Sequence, residues 1–84
     1  MPRKSRTENL SEIPLAPIDR ILHKSGAERV SDEAVRRLRD ILERIAEEIS
    51  KRAVDAAKHA RRKTIKREDI DFAIREFEHL VPKS

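Results

Sequence analysis

The run from Asp32 to Ala60, DEAVRRLRDILERIAEEISKRAVDAAKHA, contains neither proline nor glycine and decides the fold. Read as one helix it would span roughly 43 Å at 1.5 Å per residue. Its apolar positions, Leu38, Ile41, Leu42, Ile45, Ile49, Ala53, Val54, Ala56, Ala57 and Ala60, recur at helical spacing and form a broad stripe. Just upstream, Ser31 is placed as an N-cap, and Asp32 and Glu33 oppose the positive end of the helix dipole. A stripe of this length exceeds what two short flanking helices can cover, so a second copy of the chain is the expected cover.

Working outward, the pattern before this run is a short helix. Pro17 suits a first helical position, Ile18, Ile21 and Leu22 follow at helical spacing, and Gly26, the only glycine, can end the helix in a left-handed conformation. Residues 26 to 31 then form a loop. After the long run comes Lys58-His-Ala-Arg-Arg-Lys-Thr-Ile-Lys-Arg67, in which six of ten residues are basic and none is acidic. A cationic loop between helix ends attracts phosphate through side-chain charge and free backbone N–H groups. A third helix is expected from about Arg67, with Glu68 and Asp69 in its first turn, a stripe of Ile70, Ala73, Ile74 and Phe77, and Pro82 as its stop. Arg29-Val30 and Thr64-Ile65 are the only short β-prone pieces, so the fold class is all-α.

Composition narrows the partners. The chain has 84 residues, with 20 Lys and Arg against 16 Asp and Glu, a net charge of +4, and a pI near 9.9, which permits polyanion binding. One domain this small rarely stabilises itself without a staple. Cysteine is absent and the three histidines, His23, His59 and His79, are too far apart for a local zinc motif, so no metal or cofactor is expected. Oligomerisation is the staple that remains. No apolar run approaches the roughly 18 residues of a membrane span, and a cytoplasmic location is expected. Residues 1–13, with Pro2, Arg3, Lys4, Ser5 and Arg6, read as a flexible basic arm, 14–78 as the folded domain and 79–84 as a C-terminal tail.

Three motifs sharpen this reading. Pro14-Leu-Ala-Pro17-Ile-Asp-Arg20-Ile, Gly26-Ala-Glu-Arg29-Val-Ser31 and His59-Ala-Arg-Arg62-Lys63-Thr64-Ile-Lys66, followed by Glu68-Asp69-Ile70, closely resemble the archaeal-type histones, over about residues 14 to 77 and in the family's order and spacing. The resemblance implies a histone fold of short, long and short helices, paired head to tail in a handshake homodimer that brings loop 1 of one copy beside loop 2 of the other. It further implies a non-enzymatic chromosomal protein of the nucleoid that binds double-stranded DNA with little sequence specificity and bends, wraps or compacts it. Arg29 would reach into the minor groove with Thr64 beside it, Lys63 and Lys66 would pair with phosphates, and Arg20 would insert near the dimer axis. Arg62 and Asp69 match a structural salt bridge between loop 2 and helix 3. Ala56, His59, Asp69 and Phe72 match a contact between dimers that builds tetramers or longer polymers.

Each assignment has a plainer reading beside it. Arg36, Arg37, Arg39 and Arg44 alternate with Asp40, Glu43, Glu47 and Glu48 and read as a solubilising face. Phe72 falls outside the helix 3 stripe and should stay uncovered in one dimer, unless its own helix shields it. His59 has no acid, nucleophile or ligand placed to make it catalytic. Two departures from the family pattern bear on assembly. Arg61 stands where glycine is usual, which makes a left-handed cap costlier, and Ala56 is small for its position; both argue against extended polymerisation and neither against dimerisation. The rival function is a histone-fold module for transcription assemblies whose main partner is another protein. A helix-turn-helix reader fits poorly beside so long a helix, and two phenylalanines without tyrosine or tryptophan give little platform for single strands.

Overall fold

The computed structural model describes residues 11–75 and 77. They form three helices, α1 Leu15–Lys24, α2 Asp32–His59 and α3 Arg67–Ala73, with no strand among the described residues. The chain divides into two compact units, Met1–Arg44 and Ile45–Ser84, with α2 contributing to both.

In the first unit α1 starts earlier than expected. Pro14 is the N-cap, with extended backbone at ψ 159°, so Pro17 falls at the third helical position and not the first. The difference is cheap, because the third helical N–H has no intrahelical acceptor and proline forfeits nothing there. Ile18 and Val35 are buried. Val35 was not part of the stripe read from the sequence; it lies among charges in the first turn of α2, but it falls three residues before Leu38 and begins the same face. Ser31 caps α2 as expected, its Oγ accepting the Ala34 N–H at 3.1 Å.

The same unit corrects the reading of two α2 charges. Glu43 Oε2 accepts the Ile13 N–H at 2.6 Å, and Arg39 donates to the Ile13 carbonyl at 3.2 Å. Spaced by four, the two side chains share a helix face and hold both polar backbone atoms of the residue before Pro14. They therefore do more than solubilise. Ile13, assigned to the arm by sequence, is tied to the folded part; residues 1–10 lie outside the described residues.

In the second unit the buried side chains are Ala53, Ala57, Ala73 and Asp69. Three alanines allow α2 and α3 to approach closely, and no large apolar side chain fills the space. The α-helical part of α3 ends at Ala73, with Ile74 as its C-cap; Ile74, Arg75 and Phe77 continue as 3₁₀ turn. The expected stop at Pro82 and the tail 79–84 lie outside the described residues.

Candidate nucleic-acid interface

Both loops open in the same way. After α1, the Ala27 N–H reaches back to the Leu22 carbonyl at 3.2 Å and the Gly26 N–H to His23 at 3.0 Å. After α2, the Arg62 N–H reaches Ala57 and the Arg61 N–H reaches Lys58, both at 2.9 Å. This pair of reversed bonds is the Schellman closure, and it requires a left-handed residue at the turn. Gly26 supplies φ 116° in the first loop and Arg61 supplies φ 58° in the second. The arginine thus adopts the conformation for which glycine is better suited.

The first loop is braced from α1. His23 Nδ1 lies 3.0 Å from the Ala27 carbonyl, and its Nε2 lies 3.4 Å from Asp19. Arg29 follows in the loop, exposed, with no ion pair to an acid among the described residues.

The second loop is pinned by Arg62. Its guanidinium donates Nη1 to Asp69 Oδ2 and Nη2 to Asp69 Oδ1, both at 2.8 Å. Nη1 also donates to the Thr64 carbonyl at 3.1 Å, and Nη2 approaches Glu68 at 3.4 Å. Asp69 Oδ2 accepts the Lys66 N–H at 2.8 Å as well, so a carboxylate in the first turn of α3 caps its own helix and grips the loop at once. The Arg62 hydrogen bonds, helped by the Lys66 N–H, hold the Asp69 carboxyl well below its ordinary value, down to about 2. The same hydrogen bonds raise the Arg62 pKa. Asp69 is 3% exposed, with three of the roughly four acceptor positions of a carboxylate engaged. Sequence reading missed Glu68 as a second acid on Arg62; its place beside Asp69 was the available signal.

This network sorts the basic run. Arg62 is committed to Asp69 and Glu68, and Arg67 pairs with Asp71 at 3.4 Å. Lys58, Arg61, Lys63 and Lys66 are exposed and make no ion pair among the described residues. Thr64 is exposed beside them. Arg20 is exposed on α1, likewise without an acid partner among the described residues. Ala56, His59, Asp69 and Phe72 line one open depression in the second unit.

An all-α chain of short, long and short helices, with both loops closed alike and rich in uncommitted cations, defines a histone-fold protein. Residues 11–74 match the family described as histone-like transcription factor (CBF/NF-Y) and archaeal histone. The chain is 48% identical over 66 residues to the archaeal histone HAN1 of Thermococcus zilligii, covering 79% of this chain and 98% of that protein. It is 52% identical over 66 residues to probable archaeal histone 3 of Methanocaldococcus jannaschii, with the same coverage. The chain belongs to the archaeal histone family and is a histone-type protein, not an enzyme. No helix among the described residues is long and apolar enough to cross a membrane.

Proposed function

We propose that this chain forms an obligate homodimer that binds double-stranded DNA with little sequence preference, on the chromosome in the cytoplasm, and bends, wraps or compacts it. The observation that carries the reading is the set of uncommitted cations in the two loops: Arg29 before α2, Lys63 and Lys66 after it, each exposed on a loop whose backbone is fixed by helix-closing hydrogen bonds. Fixed backbone and free charge suit recognition of phosphate spacing and groove shape, since neither requires base-edge contacts. Arg29 enters the minor groove, Thr64 touches the backbone beside it, Lys63 and Lys66 pair with phosphates, and Arg20 inserts near the dimer axis.

Dimerisation is supported by what one copy leaves uncovered. Ile21, Ile41, Leu42, Val54, Ile65, Ile70 and Phe72 are all more than a third exposed. That many large apolar side chains on so small a chain call for burial against another copy. In the handshake arrangement each loop 1 sits beside the other copy's loop 2, which turns separate basic loops into paired contacts. Dimers then join through Ala56, His59, Asp69 and Phe72 into tetramers or longer stacks.

The test is a duplex-binding titration across salt concentrations, using two unrelated sequences. Affinity should fall steeply and equally for both, because released counterions drive binding. Arg29→Ala should weaken binding to both sequences while the dimer persists by sedimentation; unchanged affinity would remove loop 1 from the site. Nuclease digestion of saturated duplex should leave a regular ladder if dimers stack and a single protected length if they stay closed. A purified dimer that binds no duplex at low salt would move the function to the protein-partner reading.

A further inference from the structure

We infer that the face holding Phe72 and Ala56 is a knob and hole of one shape, through which a dimer recognises a second copy of the same chain. The inference rests on the proposed assembly between dimers and specifies what selects the partner. Both residues line the depression in the second unit. Ala73, which is buried, and Ala56, which is half-buried, make its deep part from small side chains. Phe72 stands 55% exposed at the same depression. The Arg75 guanidinium lies over that ring, 5.1 Å from its centre, which fixes its attitude and covers one face.

A protruding ring beside a hollow that its own chain leaves unfilled fits a copy related by a two-fold axis. In such a contact residue i meets j and j meets i, so each Phe72 enters the hollow over the other copy's Ala56. An aromatic anchor seated in a small-residue pocket is the arrangement that concentrates binding energy. The charges around it agree. Arg52, His59 and Arg75 bring positive or protonatable groups, and Asp55 and Glu68 bring negative ones. A surface of both signs matches its own copy after a two-fold rotation, whereas the acids repel a polyanion, so DNA is not the occupant. The small side chain at Ala56 therefore makes room for the ring instead of weakening the contact, and a histone lacking either half fits less well.

The experiment measures association between dimers of the full chain by sedimentation, with and without a short duplex, for the wild type, Phe72→Ala, Ala56→Phe and the exchanged double variant. Each single variant should weaken association by about tenfold or more, the first by removing the knob and the second by filling the hole. The double variant should recover most of the loss, because the exchanged ring again meets an alanine across the axis. Unchanged association in Phe72→Ala overturns the inference, as does a double variant no better than the singles while folded and dimeric. If Ala56→Phe fails to fold, Phe72→Leu decides: association must fall in the order Phe, Leu, Ala, and any other order overturns it. Wild-type dimers that associate but bind no duplex would sink the DNA reading and leave this inference standing. Dimers that bind duplex but never associate would sink the inference alone.

Discussion

The two loops that flank α2 solve one backbone problem with different residues. Each closes a helix with the same pair of reversed hydrogen bonds, yet one uses Gly26 at φ 116° and the other Arg61 at φ 58°. The glycine loop needs little support: a histidine brace from α1 and a serine cap on α2 suffice. The arginine loop carries a strained residue, and beside it stands the Arg62–Asp69 pair, whose three hydrogen bonds through Asp69 tie loop to helix. Strain at one residue persists where its neighbours over-determine the conformation. The difference also places charge, because a turn built on arginine adds a cation where one built on glycine adds none.

If this account of the second loop is right, Asp69→Ala should give the largest loss of thermal stability. It leaves the Arg62 guanidinium without its main partner and the Lys66 N–H without an acceptor. Circular dichroism melts check it, and a Tm no lower than that of Ser31→Ala would break the comparison. The pH dependence sharpens the same point. Asp69 is held below its ordinary value of 3.8, down to about 2, so the ionised form is favoured in the folded state. Its contribution is complete above the unfolded value and is lost as pH falls from about 4 towards about 2. Asp69→Asn should therefore flatten the fall of Tm in that window, and an unchanged acid limb would assign it to other carboxylates.

Smaller effects separate the two turns. Gly26→Ala should destabilise by about 1–2 kcal/mol, since a side chain at that φ is strained although open space surrounds it. Ser31→Ala should cost about 1 kcal/mol through the lost cap. Arg61→Gly should have the opposite sign, stabilising by under about 1 kcal/mol, because relief of the left-handed strain is partly offset by the freedom glycine gains when unfolded. Urea melts resolve all three; a stabilising Gly26→Ala or a destabilising Arg61→Gly would show that the two turns do not differ as described.

Local order was largely legible in the sequence. The uninterrupted run from Asp32, the serine cap, the lone glycine and the acids at Glu68 and Asp69 each state a helix boundary through their own chemistry. The motifs around Arg29 and Lys63 likewise marked the loops to examine. Less legible was which charges were free. Arg39 and Glu43 read as solvated, yet they hold the backbone of Ile13, a residue 26 and 30 positions away.

By itself, then, the sequence determined the three helices, the basic character of the loops and membership of the histone family, because helix signals and motif spacing are local properties of the chain. Tertiary structure decided which of six neighbouring cations are engaged and which remain open, that Arg61 accepts a left-handed backbone, and that Phe72 and Ala56 share one depression. Those outcomes depend on distances between residues from different helices and loops. Charge and spacing along the chain state what a residue can do, and only the fold states which neighbour reaches it first.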